Sequence, residues 1–367
     1  MNFYSCENCG HPIFFDNTLC VKCKHTLGYL PDQDKMSALI PARQTGLWTS
    51  VASQETVGQH YRMCKNYSEA NVCNWMVPAD NSEPLCLACR LNRTIPDLSQ
   101  PENVACWRRL EGAKRRLVYS LLRLDLPLQN KHDDPEHGLA FDFLADPDPD
   151  FSESQQVITG HAKGLITINI AEADEVIRVK MRLDMNERYR TLLGHFRHEV
   201  GHYYWQLLVS RSEHLDAFRK LYGDEQQDYG AALKTYYDQG APEKWQNHHI
   251  SAYASSHPWE DWAETWAHYL HIIDTLETAQ AYGLAVTGLP LKMLSLSEFI
   301  ELNSTYDESF KRLISEWLPL TFAFNAINRS MGMEDIYPFV LSGGVIDKLH
   351  FVHKIINQPH HSSNSSP

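Results

Sequence analysis

Two histidines and a glutamate stand at a spacing that suits metal-dependent hydrolysis. His198, Glu199 and His202 form the motif HExxH. On a helix, residues four apart lie on one face, so both imidazoles can bind one metal ion. Glu199 then stands beside that ion, where its carboxylate can act as general base toward a zinc-activated water. The motif predicts a catalytic zinc site, and the plain alternative is a solvated helix face that carries two histidines.

A catalytic zinc site needs a third protein ligand, and acidic residues further along the chain are candidates. Pro258 suits the first turn of a helix on which Glu260 and Glu264 share a face. One carboxylate can bind the metal while the other accepts a hydrogen bond from a ligand histidine and fixes its tautomer. Ligand chemistry and spacing favour Glu260 as the metal ligand and Glu264 as the group that orients the histidine. Two solvated acids in a first helical turn are the structural alternative. The other candidate ligands are Asp261, His248, His249, His257 and His268.

The cysteines predict two further zinc sites, both structural. The chain has nine cysteines, and all but Cys106 lie among its first 89 residues. Two CxxC pairs, ten residues apart, can place four thiolates around one zinc ion, and their members are Cys6, Cys9, Cys20 and Cys23. A second set of four can form another such site, although only its last two members have CxxC spacing, and this set is Cys64, Cys73, Cys86 and Cys89. His11, His25 and His60 are alternative ligands, and Cys106 is expected to be a buried thiol.

The elements that position these residues follow from composition and periodicity. Residues 1–100 are rich in turn formers and poor in periodic apolar runs, so little apolar core is expected there. This part is therefore expected to need cross-links or metal to hold its fold. Apolar residues at helical spacing predict a helix over about 102–124. Strands are expected on either side of the loop described next, at 139–144 and, with stronger support from its β-branched residues, at 165–170. A Pro-Asp loop is expected at 146–150.

The HExxH motif is expected on a helix that begins at a capping pattern, in which Asp184 stands three residues before Glu187. The remainder of the chain is expected to be mostly helical. The chain is therefore predicted to be α+β, with a mostly helical zincin-type domain that contains a small sheet. The predicted parts are a zinc ribbon at 1–30, a second cysteine-rich region at 31–100, a metallopeptidase domain at 101–356 and a disordered tail at 357–367.

Charge and composition limit the classes of partner that the chain is expected to bind. The chain has 367 residues and a formal net charge of −13, with 43% hydrophobic and 22% charged residues, which is typical of a globular protein. The acidic excess disfavours nucleic acid as a partner. A basic cluster between Arg108 and Arg123 is expected to be a solvated or ion-paired helix face. No secretion signal or membrane-spanning run is found, so a cytoplasmic location without membrane contact is expected.

The motifs also resemble known families. HExxH followed by Glu-x-x-x-acid on a helix is similar to the gluzincin class of zinc metallopeptidases, in which the first Glu is the third zinc ligand. That likeness implies Glu260 as the ligand. The acidic helix is similar to that of the anthrax lethal factor family, where a tyrosine stands seven residues before the ligand Glu. Tyr253 has this offset, and the resemblance implies that it stabilises the oxyanion, the alternative being a structural tyrosine.

The whole layout resembles a bacterial family of zinc-binding metallopeptidases with an amino-terminal zinc-ribbon region. The segments that carry this resemblance include Cys6-x-x-Cys9-Gly10, Cys86-x-x-Cys89-Arg90 and His268-Tyr269-Leu270-His271. The resemblance implies a zinc peptidase that acts on a peptide or protein and binds one catalytic and two structural zinc ions. The rival hypothesis is an inactive peptidase-like scaffold whose zinc ribbon binds a protein or a nucleic acid.

Overall fold

A computed structural model describes residues 1–53, 59–146, 157, 159–184, 191–287, 300 and 303–359. The predicted loop at 146–150 therefore lies outside the described residues except for Asp146, and so does the predicted tail beyond 359. The chain is α+β, as the sequence predicts, with cysteine clusters in its first part followed by a helical part. It divides into two compact units, one formed by Met1–Tyr119 and Gln129–Arg178 and the other by Ser120–Leu128 and Val179–Pro367.

The described residues of the first unit form three sheets. The smallest pairs β1 (Tyr4–Ser5) with β2 (Pro12–Ile13). The largest is antiparallel and consists of five consecutive strands, which are β3 (Thr26–Leu30), β4 (Lys35–Pro41), β5 (Trp48–Ser50), β6 (His60–Met63) and β7 (Met76–Pro78). A mixed sheet has the order β10-β11-β9-β8 and is formed by β8 (Asn92–Thr94), β9 (Ala140–Leu144), β10 (Gly160–Ala162) and β11 (Leu165–Asn169). The predictions of strands at 139–144 and 165–170 are confirmed as β9 and β11.

The five-stranded sheet has a core of its own, which the sequence analysis did not expect. Tyr29 on β3 forms a bridge with Trp75, and its N–H donates to the carbonyl of Asn74 at 2.8 Å. The two edges of the sheet therefore meet. The rings of Tyr29 and Phe15 lie 5.0 Å apart, those of Tyr29 and Trp75 4.8 Å apart, and all three are buried. The expectation of little apolar core among residues 1–100 is wrong, because aromatic rings on and beside short strands supply it.

The described residues also form helices, most of them after residue 100. They are α1 (Lys65–Ser68), α2 (Pro101–Arg123), α3 (Glu175–Asp184), α4 (Leu192–Leu208), α5 (Leu215–Tyr222), α6 (Tyr229–Gln239), α7 (Pro258–Ala281), α8 (Glu308–Ser330) and α9 (Gly343–Ile356). The predicted helix over 102–124 is confirmed as α2. Among the described residues, no helix is both long enough and apolar enough to cross a membrane.

Helices α4 and α7 form the centre of the second unit. They approach closely at Gly201, where an added Cβ would lie 3.1 Å from the Cα of Ala263. The indole N–H of Trp262 donates to the Gly201 carbonyl at 2.8 Å, and the ring of Trp266 stacks on Tyr204 at 4.9 Å. Small residues and buried tryptophans thus fix the register of the two helices that carry the candidate residues.

Candidate metal centres

Helix α4 carries the HExxH motif in its buried middle. Its N-cap is Thr191, whose hydroxyl accepts the N–H of Gly194 at 2.9 Å. The expected cap, Asp184, is wrong, because Asp184 is the last residue of α3, and Glu187 lies outside the described residues. The helical spacing places His198 and His202 one turn apart, and their rings meet at 4.9 Å. Both histidines are buried.

Helix α7 presents Glu260 to these histidines. The ring of His257 caps the helix by accepting the N–H of Trp259 at 3.1 Å, and Pro258 occupies the first turn. Glu260 follows in that same turn and is 1% exposed. Helix geometry then places Glu264 one turn further along the same face.

The donor atoms converge on one point. His198 Nε2 lies 2.9 Å from Glu260 Oε2, and His202 Nε2 lies 3.5 Å from Glu260 Oε1. One donor from each of these three residues lies within 4.8 Å of the other two. Ligands of a tetrahedral zinc ion with bonds of about 2.1 Å are separated by about 3.4 Å. Two imidazoles and one carboxylate therefore fit a zinc ion in type, number and spacing.

Glu264 contacts the other nitrogen of His198. Its Oε1 lies 2.8 Å from His198 Nδ1, and its Oε2 accepts a hydrogen bond from the Ser251 hydroxyl at 2.6 Å. A carboxylate in this place fixes the tautomer and the ring orientation of a histidine whose Nε2 faces a metal. The structure thus places Glu264 behind His198, outside the convergence point of the donors.

The remaining candidate ligands are occupied elsewhere. Asp261 is paired with Lys348 and His249, at 2.5 and 3.1 Å. His268 shares a hydrogen bond of 2.8 Å with the Tyr337 hydroxyl. His257 caps α7, as described above, and His248 is exposed. Among the described residues, only His198, His202 and Glu260 form a group in this part of the chain that can hold a metal ion.

Glu199 lies beside the metal-donor atoms, and its side chain contacts a residue that the sequence analysis did not select. Its Oε1 lies 3.2 Å from His195 Nε2, one helical turn earlier. Burial raises the pKa of the Glu199 carboxyl, but the hydrogen bond with His195 and the neighbouring imidazoles outweigh burial and lower that pKa. The i,i+4 spacing of the two residues was a signal that could have identified His195.

The site carries a strongly negative charge. Burial raises the pKa of Glu264, but its hydrogen bond with His198 outweighs burial and leaves that pKa at about 2. Burial also opposes ionisation of Glu260, but the nearby His202 and the hydrogen bond with His198 hold its pKa well below the usual range. Glu199 is ionised at neutral pH for the reason given above. The buried carboxylates of Glu199 and Glu260 and the half-buried carboxylate of Glu264 lie beside two imidazoles, and a divalent cation would neutralise much of their charge.

Aromatic side chains surround the donors. The ring of Tyr253 lies 6.0 Å from that of His198, and the ring of Trp259 lies 5.3 Å from that of His202. Tyr229 was not selected from the sequence, and its hydroxyl donates to Glu260 Oε1 at 2.8 Å. No motif relates Tyr229 to Glu260, because α6 and the segment that follows it separate the two residues. The structure thus brings Tyr253 to the site and adds Tyr229 and Trp259.

The first cysteine cluster comprises Cys6, Cys9, Cys20 and Cys23. The Sγ atoms of Cys6 and Cys23 lie 3.6 Å apart, and those of Cys9 and Cys20 lie 3.7 Å apart. Thiolates around a tetrahedral zinc ion with bonds of about 2.3 Å are separated by about 3.8 Å, whereas a disulfide requires about 2.05 Å. The cluster therefore fits a zinc ion and is not disulfide-bonded.

The second cysteine cluster comprises Cys64, Cys73, Cys86 and Cys89, and all four are buried. Cys73 Sγ lies 3.7 Å from Cys86 Sγ and accepts the N–H of Trp75 at 3.3 Å. This cluster likewise has the spacing and the ligand type of a tetrahedral zinc site. The alternative ligand His60 lies on β6 and is exposed, so four thiols form this group without it.

The basic cluster on α2 is only partly the solvated or ion-paired face that was expected. Arg116 is paired with Asp16, and Arg123 is paired with Glu277. Lys114, by contrast, is completely buried, and its ammonium lies 2.8 Å from the equally buried Glu111. Arg115 is also buried and donates to the Val72 carbonyl, next to the second cysteine cluster. Part of the cluster is therefore internal structure, which the charge pattern of a sequence does not reveal.

Comparison with known proteins covers nearly the whole chain. A family described as "Putative zinc-binding metallo-peptidase" matches residues 103–355. A family described as "zinc-ribbon domain" matches residues 3–100. Uncharacterized proteins of Mycobacterium bovis and Mycobacterium tuberculosis are each 40% identical over 359 residues, which is 98% of this chain and 96% of theirs. No solved structure matches the chain.

Proposed function

Because the chain belongs to the family of zinc-binding metallopeptidases that its residues 103–355 match, we propose that it hydrolyses peptide bonds in a peptide or protein substrate. The observation that carries the proposal is the placement of Glu199. Its carboxylate is buried beside the point where the donors of His198, His202 and Glu260 converge, and it is not one of them. A purely structural zinc site has no need of such a group.

In the proposed mechanism His198, His202 and Glu260 hold one zinc ion. A zinc ion held there would act as a Lewis acid and make water in the site more acidic. Glu199 accepts a proton at a carboxylate oxygen as the water attacks the scissile carbonyl, and later donates that proton to the leaving amine. His195, 3.2 Å from Glu199, fixes the orientation of the base.

Two other residues support the reaction in this proposal. Glu264 holds His198 through its Nδ1 atom and is itself held by Ser251. Tyr253 borders the site beside His198. In this proposal its hydroxyl donates a hydrogen bond to the oxyanion that forms at the scissile carbonyl. Burial, followed by the charge of Glu260, raises the pKa of Tyr253 well above its ordinary value. The hydroxyl therefore stays protonated and can donate this hydrogen bond.

The two cysteine clusters are proposed to bind one structural zinc ion each. Four sulfur ligands leave no open coordination position, which is the property of structural zinc sites. Thiols at this spacing stay reduced in a reducing compartment, which supports the cytoplasmic location as part of the same proposal.

The test is cleavage of a diverse peptide library by the zinc-loaded chain, followed by mass spectrometry. We expect Glu199→Gln to slow cleavage by about 10²–10⁴-fold, the usual contribution of a general base. Zinc content should be unchanged, because Glu199 is not among the converging donors. Glu316→Gln, the same change at an exposed position on α8, is the matched control. Equal cleavage by the wild type and Glu199→Gln would refute the mechanism.

The rival function, a scaffold whose ribbon binds a partner, is favoured by one observation. Apolar side chains near the first cysteine cluster are exposed, with Phe14 at 65% and Val21 at 66%. Such side chains are common at protein interaction sites. If neither the wild type nor any variant cleaves the library, this scaffold function replaces the peptidase.

A further inference from the structure

Helix α6 touches the candidate metal centre through its first residue. The Tyr229 hydroxyl donates to Glu260 Oε1 at 2.8 Å. The acceptor is buried, with Glu260 only 1% exposed, whereas 40% of Tyr229 is exposed. The hydroxyl of the partly exposed Tyr229 therefore contacts a buried carboxylate.

The position of this hydroxyl is well defined by its surroundings. Asp228 caps α6 by accepting the N–H of Ala231 at 2.9 Å. The Tyr229 ring lies 5.2 Å from the ring of His257 and 6.3 Å from that of Trp259. Both of these residues belong to the start of α7, next to Glu260. The cap and the ring contacts therefore fix the hydroxyl relative to the turn that carries the carboxylate.

No residue of α6 is buried. Burial of apolar surface, which holds most helices in place, therefore contributes little here. The tyrosine hydroxyl contributes instead a hydrogen bond to an ionised acceptor, which is stronger than one between neutral groups. The phenol is the donor in this bond, because an ionised carboxylate can only accept.

The bond fixes how Glu260 faces the histidines. Glu260 Oε2 faces His198 at 2.9 Å, while Oε1 lies 3.5 Å from His202 Nε2 and accepts the Tyr229 hydroxyl. A glutamate side chain has three rotatable bonds, and a donor on one oxygen restricts rotation of the carboxylate. We propose that Tyr229 is a positioning residue that holds Glu260 in the orientation required to bind the metal ion.

The inference rests on the proposed function only in taking the cation of this site to be zinc. It differs from the role proposed for Tyr253, whose ring lies beside His198 and which contacts the substrate. Groups that orient metal ligands typically contribute about 10–100-fold to metal affinity or activity. We therefore expect Tyr229→Phe, which keeps the ring and removes the hydroxyl, to weaken zinc binding at this site by about 10–100-fold.

The test measures zinc affinity on the full chain by native mass spectrometry over a series of chelator concentrations. His202→Ala, which removes a ligand, identifies which of the bound zinc ions belongs to this site. Tyr237→Phe is the matched control, because it makes the same change on α6 at a tyrosine that is 57% exposed. We expect zinc binding in Tyr237→Phe to equal that of the wild type.

Hydrogen exchange of α6 separates positioning from simple packing. The positioning role is supported if Tyr229→Phe weakens zinc binding while the amides of α6 exchange at the same rates in the zinc-free variant and the zinc-free wild type. Zinc affinity equal to that of Tyr237→Phe overturns the proposal, and so does a loss explained by unfolding of α6. Because the readout is zinc affinity, a chain that binds zinc but cleaves nothing refutes the proposed function and leaves this inference intact.

Discussion

The close approach of α4 and α7 at Gly201 predicts that Gly201→Ala destabilises the protein. Alanine is favoured over glycine inside a helix by about 1 kcal/mol. The new Cβ, however, would lie 3.1 Å from the Cα of Ala263 and 3.3 Å from the Cβ of Trp266. Inserting a methyl group into such a contact costs about 1–3 kcal/mol.

The sign depends on whether the neighbours can move. Ala263 contributes the backbone of α7, and Trp266 is completely buried and stacked on Tyr204 at 4.9 Å. Neither residue can move easily, so the steric cost of the new methyl group exceeds the gain in helix propensity. We expect a net loss of about 0–2 kcal/mol in the free energy of unfolding of the segment that contains both helices. The shift also separates His198 from Glu260, so zinc affinity should fall.

The assay is segment-resolved amide hydrogen exchange, which gives the opening free energy of each helix. Gly112→Ala is the control, because Gly112 also lies inside a helix, α2, but an added Cβ meets no atom within 4 Å. That variant should stabilise α2 by about 0.5–1 kcal/mol. If Gly201→Ala stabilises α4 as much as Gly112→Ala stabilises α2, the argument from close approach is refuted.

Three further predictions concern other parts of the chain. Lys114→Met removes the ammonium that lies 2.8 Å from the buried Glu111 and leaves this carboxylate with hydrogen bonds from the neutral side chains of Asn92 and Trp107. The change should cost about 3–5 kcal/mol in urea unfolding. The double variant with Glu111→Gln should regain much of this loss, and no regain would contradict the ion-pair argument. Burial raises the pKa of Asp307, but its hydrogen bonds with Ser309 and the Phe310 N–H outweigh burial and hold that pKa below its usual range. The ionised carboxylate therefore stabilises the protein above about pH 4, and this stabilisation is lost as the pH falls. Asp307→Asn, which keeps a good helix cap, should therefore lose stability at pH 7 and match the wild type at low pH in thermal melts; an equal difference at both pH values would argue against this. Finally, a limiting chelator should remove zinc from the first cysteine cluster before the second, because only the second is fully buried; native mass spectrometry of the cysteine variants would show the order, and the reverse order would contradict the reasoning.

Periodicity predicted the elements whose residues share one buried face. Helix α2 begins and ends within one residue of the predicted bounds, because its apolar positions recur every three or four residues. Strands β9 and β11 were predicted differently, from the Pro-Asp loop that they flank and from the β-branched residues of the second run. The five-stranded sheet was missed because its strands are short and its core depends on rings that meet across the sheet, such as Tyr29 and Trp75. Contacts of this kind between distant positions leave no local pattern.

Local chemistry predicted the candidate site better than it predicted the elements around it. A four-residue spacing on one helix was enough to bring His198 and His202 together. The cap of that helix was wrong because Asp184 and Thr191 both precede an apolar run, and only the end of α3 excludes the first. Tyr229 has no spacing relation to Glu260, so its hydrogen bond could not have been derived.

The two acidic candidates, Glu260 and Glu264, differ only through the register of α7 against α4. Both share a face of α7, and both contact His198, one at Nε2 and the other at Nδ1. A slide of α7 by one turn would bring Glu264 to the place that Glu260 now occupies, since the two are four residues apart. The contact of Gly201 with Ala263, together with the Trp262 hydrogen bond, fixes the register that places Glu260 between both histidines. A glycine that supplies no metal ligand therefore helps to decide which carboxylate can bind the metal.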